Sequence, residues 1–298
     1  MTLVAVLIAN PARPAITDAV LAETRRVLGT AHQPRILHGE VAAEVMLAGE
    51  AGSAPSLTER LRAALGDEPI DVAVLPADAH RRKRLFLADM DSTMIEQECI
   101  DELADQVGLK AHVSAITERA MRGEIAFEPA LRERVALLKD LPVGAIDRLI
   151  AERITLTPGG RTLVRTLRAH GAYTCLVSGG FTLFTGPVGD KLGFEENRAN
   201  RLTLAGEKLA GTVEEPIVGK AAKRETLIEL RERFHLAPAE TLAVGDGAND
   251  LDMLGEAGLG VAFRAKPAVA AAAQVRIEHG DLTALLYLQG FAAAEFVG

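Results

Sequence analysis

The chain has 298 residues, of which 48% are hydrophobic and 25% charged, and its formal net charge is -8. That length favours two or three domains over one core, and the composition excludes a disordered or fibrous protein. The negative balance argues against nucleic-acid binding, because no basic field is available to replace phosphate counterions.

The first run, MTLVAVLIAN, carries no basic leader. Asn10 and Pro11 end it too early for a signal peptide or membrane span, so a cytoplasmic protein without a membrane segment is expected. Residues 2–9 read as a strand, 14–28 as a helix, 34–47 as one or two strands, 56–66 as a helix and 70–75 as a strand. This βαββαβ order predicts a small α+β unit of ferredoxin-like type over residues 1–80. It holds no reactive cluster, and a structural or regulatory role is expected for it. The polar stretch PADAHRRKR marks the boundary. Its basic run over 81–84 reads as a solvated linker edge, with a phosphate-steering patch as the lesser alternative.

LFLA then forms a short apolar strand that ends in Asp89, and a mostly helical stretch follows. Short β-like runs at 173–177, 242–244, 259–262 and 275–277 alternate with helical patterns, the signature of a parallel sheet flanked by helices. Glycine-punctuated, strand-like pieces over 185–215 suggest a small β excursion. The expected architecture is an α/β core of residues 81–94 and 155–298. A helical insertion over 95–154 would roof the C-terminal edge of its sheet, where open α/β sheets bind ligands. Cys99 and Cys175 lie in apolar surroundings without metal-ligand spacing and read as buried free thiols of a reducing compartment.

The chemistry concentrates where the core strands end. The first gives LFLADMDST, with Asp89 and Asp91; another gives YTCLVSGG, with Ser178, Gly179 and Gly180; a third gives TLAVGDGAND, with Asp246, Asn249 and Asp250. Parallel strands bring these ends to one edge. Carboxylates gathered there would raise one another's pKa values unless a cation neutralised them. An all-oxygen donor set suits Mg²⁺. Phosphoryl transfer asks for a nucleophile, a metal clamp and a fixed positive charge. Asp89 at its strand end can attack phosphorus. Asp91, two residues on, can give a proton to the leaving oxygen and take one from water. Lys223, opening an amphipathic helix, is the candidate cation, with Lys220 and Arg224 as competitors.

DMDST at 89–93, SGG at 178–180, Lys223 and GDGAND at 245–250 together resemble the haloacid dehalogenase superfamily of phosphatases. Within it, the span from about 83 to 298 is similar to the bacterial phosphoserine phosphatases. The resemblance implies a Rossmann-like core under a helical cap and a Mg²⁺-dependent phosphomonoesterase. Its reaction would be hydrolysis of O-phospho-L-serine to L-serine and inorganic phosphate through an aspartyl-phosphate, the last step of serine biosynthesis. It further implies Asp89 as nucleophile and metal ligand, and Asp91 as acid/base and as a ligand through its carbonyl. Asp246 would be a metal ligand and Asp250 a support of the metal shell. Ser178, Gly179, Asn249 and Lys223 would hold the phosphoryl group or its surroundings. Met90 stands where the family often has Phe, which puts little in doubt.

The same resemblance gives the insertion its role. Glu98 is either a surface glutamate or the carboxylate that receives the substrate amine; the family uses the matching position for the amine. On a 3.6-residue helix Arg134 shares a face with Phe127, Leu131, Val135 and Leu138. It either snorkels at the insertion's edge or holds the substrate carboxylate bidentately, as the matching arginine does in the family. Met121 and Phe127 match apolar cap residues of that pocket. Residues 1–80 resemble, in length and element order only, the ACT-like extension of some phosphoserine phosphatases. Such modules can bind amino acids or mediate association, so a homodimer is an assembly the resemblance allows. A phosphotransferase, or a phosphatase for another small phosphomonoester, is the alternative reading.

Overall fold

A computed structural model describes residues 2–47 and 52–298. Strand β1 (Leu3–Ala9), helix α1 (Asp18–Leu28), strands β2 (Arg35–His38) and β3 (Ala42–Leu47), helix α2 (Ala54–Leu65) and strand β4 (Ile70–Pro76) form the N-terminal unit. Its sheet runs in the order β2-β3-β1-β4, antiparallel throughout, the ferredoxin-like arrangement predicted. The first helix starts later than the sequence pattern suggests because Thr17 caps it, its hydroxyl accepting from Val20 N. A turn after His38 divides the expected 34–47 strand into two.

The central strand β1 reads as a continuous apolar run because both faces of the sheet are covered there. Ala5, Leu7 and Ala9 pack toward α1 and α2. Val4, Val6 and Ile8 belong instead to the large cluster of the rest of the molecule, with Leu285, Tyr287 and Phe291. Burying each large aliphatic here is worth about 1.5–3 kcal/mol, so the unit is fused to the core rather than tethered to it. Asp71 strengthens the seam: its buried carboxylate accepts hydrogen bonds from the backbone N–H groups of Glu278, His279 and Gly280.

The basic run corrects the expectation of a solvated linker. Arg81 is largely buried, pairs with buried Glu44 at 2.6 Å and donates through Nε to Leu288 O at 3.0 Å. Arg82 lies over the Phe291 ring, 4.0 Å from its centroid, and pairs with Glu295. Lys83 Nζ donates to the carbonyls of His80 and Ala239. These side chains stitch the junction together.

The core begins with β5 (Leu85–Ala88), all four residues buried. After it come α3 (Cys99–Asp105), α4 (Lys110–Met121), α5 (Phe127–Ala136) and α6 (Gly144–Glu152), the helical insertion. The chain continues through α7 (Gly160–Ala169), β6 (Tyr173–Phe181), α8 (Thr182–Leu192) and β7 (Glu196–Asn200). A hairpin of β8 (Leu202–Ala205) and β9 (Lys208–Val213) leads to α9 (Lys220–Arg233), β10 (Thr241–Gly245) and α10 (Leu251–Glu256). Last come β11 (Leu259–Phe263), α11 (Pro267–Ala272), β12 (Val275–Ile277) and α12 (Ala284–Leu288). The six-stranded sheet has the order β12-β11-β10-β5-β6-β7 and is parallel. From β5 the chain winds outward first through β6 and β7, then through β10, β11 and β12. The β5/β10 boundary is therefore the topological switch point, where a ligand crevice is expected.

The predicted β excursion is confined to β8 and β9; residues 182–192 are helical instead. Gly186, Pro187 and Gly189 weaken helix propensity there, but Phe184, Val188 and Leu192 are fully buried, and that burial overrides the local preference. The hairpin grips the insertion through backbone hydrogen bonds from Asp140 N to Leu209 O and from Leu209 N to Leu141 O, each 2.9 Å. No helix among the described residues is long and apolar enough to cross a membrane.

Candidate active site

Strand β5 delivers Asp89 to the switch point as a buried side chain. The backbone N–H of Asp89 still pairs with Val244 O of β10 at 3.0 Å, so the nucleophile candidate sits on the last rung of the ladder. The chain then turns sharply, with Ser92 at φ 54°, and brings Asp91 back toward the same crevice. Asp89 Oδ1 accepts from Met90 N at 2.7 Å and from Lys223 Nζ at 2.8 Å.

Lys223 is 0% exposed and pairs also with Asp250 Oδ1 at 2.7 Å. Asp250 Oδ2 accepts from the N–H groups of Asp246 and Gly247, so both its oxygens are engaged by donors. Asp246 Oδ1 accepts from Thr93 Oγ1 at 3.1 Å. The competitors for the fixed cation lie outside: Lys220 pairs with Asp252 and Arg224 with Glu256.

Above this layer lies one cleft. Asp89, Asp91, Ser178, Gly179 and Asn249 line it from the core; Glu98, Met121, Phe127 and Arg134 line it from the insertion. The Ser178 hydroxyl accepts from Gly180 N at 2.9 Å, which leaves its proton for a ligand. Glu98 Oε1 accepts from Ser92 Oγ at 2.6 Å. Arg134 is 4% exposed, on the buried stripe of α5, and donates to Ala130 O and Thr117 Oγ1. No carboxylate bonds its guanidinium directly among the described residues.

Burial and crowding dominate the electrostatics of the cleft. Asp89 and Asp250 flank Lys223, Arg134 acts on Asp91 and Glu98, and Lys266 acts on Glu98 as well, so the carboxylates outnumber the cations beside them. Burial lifts the Asp89 carboxyl to about 7; the charge of Asp250 adds to the rise and Lys223 opposes it. Burial and then Glu98 hold Asp91 well above the usual carboxylate range. Burial and the charges of Glu98, Asp250 and Asp89 do the same for Asp246. Burial also lowers the pKa of Lys223, but Asp250 and Asp89 outweigh it and the net direction is upward.

Oxygens of Asp89, Asp246 and Asp250 lie within 4.8 Å of one another, and Asn249 Oδ1 is buried without a hydrogen-bond partner. A surplus of buried carboxylates, an all-oxygen donor set and an orphaned acceptor fit a divalent cation.

Three comparisons agree with this chemistry. The profile of the haloacid dehalogenase-like hydrolases matches residues 86–255. The chain belongs to that family. A phosphoserine phosphatase of Streptomyces coelicolor is 44% identical over 243 residues, which cover 80% of this chain and 59% of that protein; the chain thus spans about three fifths of this relative's length. A solved haloacid dehalogenase family hydrolase of Salmonella enterica serovar Typhi superposes with a TM-score of 0.85 at 28% identity, covering 96% of this chain and 98% of its own. A phospho-aspartyl intermediate analogue of a phosphoserine phosphatase superposes with a TM-score of 0.66 at 41% identity, over 69% of this chain and 98% of that one.

The cleft also holds residues that pattern reading did not single out: Ile100, Thr117, Ala120 and Phe181. Ile100 and Ala120 lie on helices of the insertion and read as ordinary core. Thr117 carries no spacing signal at all, since only the tertiary fold sets it beside Arg134.

Proposed function

We propose that this hydrolase cleaves O-phospho-L-serine to L-serine and inorganic phosphate, the last step of serine biosynthesis, with residues 95–154 as the cap over its site. The observation that carries the substrate is the pairing of Glu98 and buried Arg134 on the cap side of a cleft floored by Asp89. One suits an ammonium group, the other a carboxylate, and Asp89 below them suits the phosphoryl group.

In this reading Asp89 attacks phosphorus through the oxygen not held by Lys223. The P–O bond to the seryl oxygen breaks as Asp91 gives that oxygen a proton. Water then loses a proton to Asp91 and attacks the same phosphorus, breaking the aspartyl bond and releasing phosphate. A raised pKa for Asp91 supports its role as donor. Lys223 fixes Asp89 and faces the developing charge. Ser178, the backbone at Gly179 and Asn249 hold the phosphoryl oxygens and their surroundings. Met121 and Phe127 exclude water. Mg²⁺ is the proposed metal: Asp89, Asp246 and the Asp91 carbonyl would hold it, supported by Asp250, and when bound it offsets the negative charge of the crevice and polarises the phosphoryl group.

The proposal includes a cytoplasmic setting, in keeping with Cys99 and Cys175 as buried free thiols. It also includes a homodimer, in keeping with the edge strand β2, where Ile36 is 50% exposed. The test is phosphate release from L-phosphoserine against a panel of phosphomonoesters with Mg²⁺, with Asp89→Asn as control. Preference for phosphoserine and an inert control are expected. Equal turnover of sugar or nucleotide monophosphates would refute the substrate, and net transfer to an added alcohol would make it a phosphotransferase.

A further inference from the structure

We propose that Thr117 and Asp101 are positioning residues that set the substrate specificity of the cleft by holding Arg134 open for a carboxylate. This rests on the substrate reading above and extends it to residues that do not themselves need to touch the ligand.

Three helices of the insertion meet at this point. Arg134 on α5 donates through Nη1 to Thr117 Oγ1 of α4 at 2.8 Å. The Thr117 hydroxyl, having accepted there, turns its own proton to Asp101 Oδ1 of α3 at 2.7 Å, with Val113 O as the other acceptor in reach at 3.0 Å. On its opposite side Arg134 Nε is tied to Ala130 O, one turn back on its own helix, at 3.0 Å. The guanidinium is therefore fixed at two of its nitrogens, and no acceptor among the described residues bonds Nη2.

The order of the chain matters. A carboxylate bonded directly to a buried arginine takes the planar fork bidentately and uses the donors a ligand would need. Here the negative charge stands one hydroxyl away. Asp101 is the largest of the charges that favour the ionised guanidinium against burial, yet Thr117 keeps it off the fork. A buried cation thus gains a counter-charge at a distance while its outer edge stays unpaired in the cleft. Such an edge rejects ligands without a matching anion, because binding them would leave it desolvated and unmatched.

The test compares kcat/KM for L-phosphoserine with that for O-phosphoethanolamine, which lacks only the carboxylate, in the wild type, Thr117→Val, Thr117→Ser and Asp101→Asn. Thr117→Val keeps the shape and removes the hydroxyl. It should cut the preference for phosphoserine about tenfold, mostly through KM. Thr117→Ser should restore the preference, and Asp101→Asn, which retains an acceptor without the charge, should fall between. Turnover of phosphoethanolamine by Thr117→Val reports that the variant is folded. A wild type that does not discriminate between the two esters would sink the substrate reading and this inference together. A wild type that discriminates, with Thr117→Val and Asp101→Asn discriminating equally well, would overturn this inference alone. A fall in both activities by the same factor would also overturn it, since that is the mark of a purely structural residue.

Discussion

Phe127 of the helical insertion and Gly179 at the end of β6 meet so closely that a Cβ on Gly179 would lie 2.7 Å from Phe127 Cζ. A side chain at position 179 would have to displace the Phe127 ring. Gly179→Ala should therefore hold the cap away, raising KM about tenfold. Phe127→Leu added to it should recover part of the loss, because a smaller side chain makes room. Steady-state kinetics on both variants check this; additive losses would mean that the two residues do not meet in the working enzyme.

Lys223 is a buried cation between two aspartates, and its removal strands both. Lys223→Met should cost about 3–5 kcal/mol in denaturant unfolding and abolish turnover. Adding Asp250→Asn should return part of the stability and none of the activity, since Asp89 still lacks its cation. If the double variant is no more stable than the single one, the Asp89–Lys223–Asp250 triad is not what makes the lysine indispensable.

The raised carboxyl of Asp89 predicts a pH dependence of known sign. Its pKa in the folded protein is about 7, against 3.8 as the ordinary value. Between those values the folded chain holds more protons than the unfolded one, so metal-free stability is highest at the acid end and falls as pH rises. Asp246 is shifted in the same direction. A divalent cation favours the ionised carboxylates and should reverse the trend. Thermal melts should show Mg²⁺ raising Tm by several degrees at about pH 7.5 and by less at about pH 5. A gain independent of pH would place the ion elsewhere.

Glu44 is 5% exposed and bound by Arg35 and Arg81 at 2.6 Å each. Glu44→Ala should lower stability by about 3 kcal/mol by leaving Arg81 largely buried and unpaired. Because Val4, Val6 and Ile8 share a cluster with Leu285 and Tyr287, the wild type should unfold in one calorimetric transition. Two resolved transitions would contradict a fused seam.

The sequence exposes much of this molecule because its chemistry sits at strand ends. LFLA, YTCLV and TLAVG are short apolar runs, and each is followed at once by the polar groups that the parallel sheet gathers. Asp89, Ser178 and Asp246 could be read for that reason. Other features depend on partners far along the chain. Asp71 looks like a surface acid until the backbone at 278–280 caps it. Arg81 looks solvated until Glu44 and the Leu288 carbonyl enclose it. Helix α8 is hidden by its own glycines and proline, and Thr117 is a neutral hydroxyl whose neighbours come from two other helices. Local pattern carries no record of contacts of that kind.

Nucleophilic catalysis by Asp89 requires a phosphoryl group carried on its carboxylate. Acid quenching during turnover of L-phosphoserine with Mg²⁺, followed by borohydride reduction and peptide mass mapping, reads it directly. Homoserine is expected at position 89 in the wild type and none in Asp89→Asn. A labelled residue elsewhere, or turnover without any trapped intermediate on Asp89, would contradict it.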